Sequence, residues 1–395
     1  MRPIQLPRPD LWVGAIMIVV LMGTALVSPL YPLYQAAWSL DASQVTQVYV
    51  IYMLGALLSL LLFGRLADQI GYRKVMGGAL VTGLVGTILS ICADDFATFC
   101  IARFIVGVAA SLITTSGTIG VIRLTPASRQ ASAPLMTGLF VSGGFALGPL
   151  VGGIAGQWIP QPLVSAHLPS LIFLIVSMVA FCFLPALPGK GRLTAGGLVP
   201  RLSWTGREHS VELALACCLP FLGFGIFGLY ASMAPMLIRN FTGLEGPFIS
   251  ALYIGTFLIG TAIFQIVARS VPSRRGAVIA LVLMALGNAV MWANLGAGSV
   301  VLFVAGVCIA AMGHGFCLMS STTIMHRVAS DENRGGLTAT YWAIGYSGSI
   351  FPLLLLGVAA DRWGAVAAAS GFCAIAVATC IILAIVIALR GRARA

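Results

Sequence analysis

The sequence predicts an all-α membrane protein whose twelve transmembrane helices form two pseudo-symmetric six-helix bundles. Of its 395 residues, 59% are hydrophobic and 8% charged, with a mean hydropathy of +1.02, beyond what a soluble domain sustains. Twelve continuous apolar stretches are each long enough to cross a bilayer, and the longest hydrophilic segment falls between the sixth and seventh.

A crossing helix needs about 20 mainly apolar residues. Such stretches run at 11–35, 45–64, 75–92, 98–121, 133–158, 167–187, 213–238, 247–268, 276–295, 299–324, 336–360 and 364–389. The ten-residue alternation of an outer-membrane barrel is missing, so helices are expected to satisfy the backbone. The first stretch follows Arg2 and Arg8 but is read as a span, because it is too long for a signal-peptide core and no small-residue cleavage site closes it. Pro29 and Pro32 predict a bend in it. The organisation expected is a bundle over 1–188, a cytoplasmic linker over 189–212 and a second bundle over 213–395. The nine cysteines show no CxxC or Cys/His spacing and read as small buried hydrophobes, so neither a metal site nor a cofactor is expected.

The net charge of +11 does not imply nucleic acid. If both termini face the cytoplasm, 19 of the 22 basic residues fall on the inner side, and Arg239 and Arg362 alone on the outer. That asymmetry predicts a multi-pass protein of the plasma (bacterial inner) membrane with both termini cytoplasmic. The remaining cation, Arg103, lies inside the fourth span, where a charge is expensive without a partner or water.

The halves resemble each other. An offset of 201 lays QIVARSVPSRRG (265–276) over GRLADQIGYRKV (64–75), placing Arg274 and Arg275 on Arg73 and Lys74, and Arg269 on Asp68. Offsets of 203 to 206 pair Pro149 with Pro352, Arg129 with Arg334 and Pro29 with Pro235. The recurrent order predicts a 6+6 duplication, an arrangement that places substrate between halves.

These motifs carry a family resemblance. GRLADQIGYRKV resembles the loop 2–3 signature of the major facilitator superfamily, G-x-L-a-D-r-x-G-r-k, through Gly64, Leu66, Asp68, Gly71, Arg73 and Lys74, with Gln69 where a basic residue is usual. RFIVGVAAS (103–111) is similar to the family's second signature through Arg103 and Gly107, with Ala109 replacing a glycine. GFALGPLVGG (144–153) looks like the motif of the drug/proton antiporter branch, although Leu135 stands where a further glycine belongs. The resemblance implies the major facilitator fold and alternating access. It also implies that Asp68 meets the N-terminus of the eleventh helix at Gly335 and Gly336 when the cytoplasmic side is closed. For Arg73 and Lys74 a plain solvated turn is the competing reading.

Gly144, Gly148, Pro149, Gly152 and Gly153 have two readings. Small residues four apart permit close helix packing, while the family associates this kinked helix with a half-to-half contact that resists leak. Arg103 either orders the bundle, tunes a proton site or attracts an anion. Its face continues through Ser111 and Thr114 at helical spacing. The first span presents Thr24, Ser28, Tyr31 and Gln35, the seventh Phe221 and Phe224, and the eleventh Tyr341, Trp342 and Tyr346. Aromatics with scattered hydroxyls suit a roomy cavity for a moderately polar small molecule of low charge. No acid lies well inside a span, so a proton would have to use a carboxylate at a span end or His314, whose alternative is a neutral interhelical hydrogen bond.

The expected function is a monomeric secondary active transporter that exports an organic, drug-like solute by proton antiport, with a small molecule, protons and the lipid bilayer as its partners. The alternative is a carrier or exchanger of organic or inorganic anions that uses Arg103 as counter-charge without proton coupling. A partner-binding sensor is a further possibility. No GxxxxGK[ST] is present, so ATP is not the direct energy source, and the absence of HExxH and GxSxG argues against an enzyme.

Overall fold

The computed structural model describes residues 7–187, 202–233, 238, 246–330 and 333–392, with side chains to Leu389. Among these residues the regular structure is helical throughout, and twelve helices are long and apolar enough to cross a membrane. They run over Pro9–Trp38, Ala42–Phe63, Tyr72–Ile91, Phe96–Leu124, Ala127–Trp158, Pro162–Cys182, Ser210–Ser232, Pro247–Ala268, Ser273–Ala297, Val300–Val328, Arg334–Trp363 and Ala365–Leu389. They are called the first to twelfth spans below.

The first span is broken, as its prolines require. Helix Pro9–Ala25 gives way to a 3-10 turn at Ser28–Leu30, and helix Tyr31–Trp38 resumes beyond it. Several other spans exceed their apolar cores because polar residues at the ends continue the helix past the hydrocarbon. The third begins at Tyr72, so Arg73 and Lys74 form its first turn. The sixth differs most from expectation, covering Pro162–Cys182 rather than 167–187. Pro185 excludes the preceding residues from helix, which moves the end back. Residues 234–237 of the expected seventh span, together with Arg239, lie outside the described residues, as does linker segment 189–201. The described end of the linker is anchored. Ser203 N–H donates to Thr340 Oγ1 at 3.1 Å, Thr340 Oγ1 donates back to the Ser203 carbonyl at 2.9 Å, and Trp204 Nε1 donates to Ser210 Oγ at 2.7 Å.

By density of internal contacts the chain divides into two units. One comprises 1–38 and 51–200, the other 39–50 and 201–395. Within the first unit, the third span packs on the fourth and sixth, and the first on the fourth and fifth. Within the second, the ninth packs on the tenth and twelfth, and the seventh on the tenth and eleventh, which is the same set of pairings six spans on.

The duplication reaches single atoms. Arg73 Nη2 donates to the Cys182 carbonyl at 3.0 Å, tying the start of the third span to the end of the sixth. Arg274, its partner at offset 201, donates through Nη2 to the Ile387 carbonyl at 2.9 Å and ties the ninth to the twelfth. Cys182 is the last residue of its helix, where the macrodipole favours a cation, while Ile387 lies five residues before the end of helix Ala365–Arg392. Arg73 also lies 5.3 Å from the Phe181 ring centroid, so it does more than decorate a solvated turn. Gly71, between the short helix Leu66–Ile70 and the third span, has φ +92°, a conformation that disfavours any side chain.

Glycine decides how closely the helices approach. A Cβ at Gly144 would stand 2.8 Å from Leu21 Cβ, one at Gly148 would stand 2.5 Å from the Met22 carbonyl oxygen, and one at Gly152 would overlap the Leu26 carbonyl oxygen. The fifth span's glycine face therefore lies directly on the first span's backbone inside one bundle, which is the packing reading of that motif. Gly345, at offset 201 from Gly144, seats the eleventh span on the seventh, where a Cβ would come 3.2 Å from both Pro220 Cβ and Phe224 Cε2.

Gly148→Ala and Gly152→Ala are expected to destabilise the protein by about 1–3 kcal/mol each through overpacking. Gly143→Ala, with nothing within 4 Å of the added carbon, serves as the control. Thermal unfolding in detergent checks this, and equal melting temperatures for all three variants would contradict the seam.

Candidate substrate half-sites

In the first unit the polar centre gathers around Arg103. It is 2% exposed, its Cζ sits 4.8 Å from the Tyr52 ring centroid and its Nε has no partner. Among the described residues no carboxylate pairs with it. A desolvated cation over an aromatic face recovers about 2 kcal/mol, a small part of the cost of burial. The Tyr31 hydroxyl faces Ser28 and Arg103 without completing a hydrogen bond, and Tyr52 lies beside Thr24. Thr24 itself donates to the Leu21 carbonyl at 2.6 Å. The structure thus brings together Thr24, Ser28, Tyr31 and Arg103 as the sequence reading grouped them, with Gln35 half-buried one turn beyond Tyr31.

Ser111 and Thr114 lie farther along the fourth span. The Thr114 hydroxyl donates to the Ala110 carbonyl at 2.7 Å, and the expected polar stripe is largely satisfied within its own helix. Three residues join the cluster that the sequence reading did not group there. Besides Tyr52, they are Tyr34 and His167, whose Oη and Nε2 are 3.0 Å apart, with Tyr34 stacked on Phe99 at 4.2 Å. The i, i+3 spacing of Tyr31 with Tyr34 and of Tyr49 with Tyr52 was the available signal. Asp10 is a further buried acid, 1% exposed in the first turn of the first span, with Oδ2 3.3 Å from Arg8.

The second unit has an aromatic centre. Phe224 lies nearly parallel to Tyr346, with a ring angle of 6° and a centroid distance of 5.5 Å, and both rings stand about Trp342 at 6.0 and 5.9 Å. All three are half-buried. Behind them His314 is enclosed by Phe224, Phe227 and Phe257 at centroid distances of 6.0, 6.1 and 5.3 Å. Its Nδ1 lies 3.2 Å from Thr261 Oγ1, while Nε2 is buried without a partner. Gly223 makes room for the imidazole, since a Cβ there would approach His314 Cδ2 to 3.0 Å. Tyr341 differs from its neighbours. It is fully buried in the core with Leu213, Ala216 and Leu337, and its hydroxyl is 2.7 Å from Ser321 Oγ. Phe221 is half-buried, and its backbone is the surface against which Gly348 packs.

Asp68 is exposed in the short helix Leu66–Ile70, and Lys74 is also exposed. Gly335 and Gly336 open the eleventh span in the other unit. Gly64 closes the second span through its N–H bond to the Leu60 carbonyl at 2.9 Å. Pro149 and Gly153 are buried in the fifth span.

Twelve apolar spans, paired in the same way in both units, define a polytopic helical membrane protein. The profile of the Major Facilitator Superfamily matches residues 13–352, and the chain belongs to that family. It is similar to the putative multidrug resistance protein MdtD of Salmonella paratyphi B, with 22% identity over 338 residues covering 72% of this chain and 71% of that one. It is also similar to the riboflavin transporter RibZ of Clostridioides difficile, with 28% identity over 123 residues and 31% of this chain. That match spans 27% of RibZ, and the match to the uridine/deoxyuridine transporter of Lactococcus lactis spans 37% of that relative. Among solved structures, a point mutant of the nucleoside transporter NupG superposes with TM-score 0.74 at 15% identity, covering 96% of this chain and 99% of that one. The human organic anion transporter MFSD10 superposes at 0.65 with 17% identity, covering 96% of this chain and 100% of that one.

Tyr341→Phe is expected to cost about 1 kcal/mol of stability by removing the Tyr341–Ser321 hydrogen bond, Ser321 keeping its bond to the Leu318 carbonyl, with substrate affinity retained. Phe224→Ala and Tyr346→Ala should weaken substrate binding by about tenfold or more each, a loss of roughly 1.4 kcal/mol. Melting curves and transport KM, measured on the same preparations, separate the two classes.

Proposed function

We propose that this protein exports an organic, drug-like solute from the cytoplasm by proton antiport. It does so as a monomer in the plasma (bacterial inner) membrane with both termini inside. The observation that carries this reading is the half-buried stack of Phe224, Trp342 and Tyr346, a surface suited to planar or amphipathic solutes with little directional bonding. Similarity to MdtD and the antiporter-like glycine motif support it. Asp68 and the N-terminus of the eleventh span at Gly335 and Gly336 act as the cytoplasmic gate, a carboxylate against the positive end of a helix.

Ethidium efflux from proteoliposomes should collapse when a protonophore dissipates the gradient, and unchanged efflux would refute antiport. Asp68→Asn should abolish transport with expression and folding intact; near-normal rates would exclude the gate. A second reading, anion transport without proton coupling, is favoured by the buried guanidinium of Arg103 with no carboxylate to neutralise it. Uptake of labelled organic anions that is lost in Arg103→Ala, with cationic dyes ignored by the wild type, would select it.

A further inference from the structure

A cavity of the second unit lies at one end of its bundle, away from the aromatic centre. It has a volume of about 510 Å³, within the roughly 300–1,000 Å³ range of small-molecule pockets. The starts of the seventh and ninth spans and the last turns of the tenth and twelfth surround it. Arg207, Arg274 and Arg327 stand around it, all exposed, while Leu215, Ile324 and Ile387 supply an apolar floor. The wall that carries Arg207 is the anchored linker end, held by the bonds of Ser203 and Trp204 described above.

Two carboxylates share the rim. Glu212 pairs with His209 at 3.6 Å, and Glu208 stands beside it on the rim. Arg274 spends one nitrogen on the Ile387 carbonyl, which fixes the guanidinium at the mouth of the cavity. Cations set over an apolar floor at the end of membrane-crossing helices match a phosphodiester with hydrocarbon attached. A free polyanion would gain nothing from the floor and would meet two carboxylates.

We propose that this cavity binds the headgroup and proximal chain of an anionic phospholipid, with Arg207, Arg274 and Arg327 on the phosphodiester. The bilayer supplies the ligand, and the site is separate from the transport pathway.

The test uses the full chain, purified in detergent, delipidated and titrated with phosphatidylglycerol, phosphatidylethanolamine, phosphatidylcholine or inorganic phosphate. Native mass spectrometry reads the bound lipid. The wild type is expected to retain phosphatidylglycerol preferentially, and Arg207→Gln with Arg327→Gln to lower its occupancy by about tenfold or more. Both side chains are exposed, so their replacement leaves the bundle's buried packing intact. Should that double variant fail to fold, Arg207→Gln alone carries the test, because it lies on the linker outside the helices. Leu215→Trp, which fills the floor and keeps the arginines, should also displace the lipid. Equal retention by wild type and variants would overturn the proposal. So would equal binding of the two zwitterionic lipids, or displacement of phosphatidylglycerol by inorganic phosphate at matched concentration, which would make this a soluble-anion site.

Discussion

Close backbone approach is the constraint on which the rest of the structure depends. Between lipid-facing helices there is no hydrophobic gain from association, because a side chain leaves one apolar surroundings for another. What holds the first and fifth spans together is the absence of side chains at Gly144, Gly148 and Gly152, which brings helix against helix. The seventh and eleventh spans use Gly345 and Gly348 in the same way. Only with the helices seated this closely do Tyr31 and Tyr52 arrive at Arg103, or Phe224 at Tyr346.

The two polar centres differ in kind although the scaffolds repeat. The first is a buried cation over the Tyr52 ring, with the Tyr31 hydroxyl facing it. The second is a neutral wall of rings backed by one imidazole. A duplication preserves the packing positions because geometry dictates them, whereas the inward-facing groups are free to diverge. The offset that pairs Gly144 with Gly345 consequently pairs no ionisable residue with Arg103, whose counterpart by that count is Val304.

Much of this was legible in the sequence. Twelve apolar runs, the broken first span at Pro29 and Pro32 and the repeat at Arg73 and Arg274 all follow from local chemistry, since hydrophobic length and proline act on their own segment. What was less legible depends on partners distant along the chain. Tyr341 and Tyr346 look alike in sequence, yet one is sealed against Ser321 and the other stacks on Phe224. The meeting of Tyr34 with His167 joins residues 133 apart, and no periodicity announces it. The sixth span ended early because Pro185 outweighed an apolar pattern that continued past it.

The paired arginine ties bear on how such a chain assembles. Positive charge at a helix end biases the side of a membrane on which that end stays, and Arg73 and Arg274 stand at such ends with their guanidiniums on the carbonyls of Cys182 and Ile387. A segment threaded the wrong way would carry its arginine to the opposite face from that carbonyl, and its bundle could not shut. The charges suited to orienting these helices are thus also the groups that tie the bundle ends together.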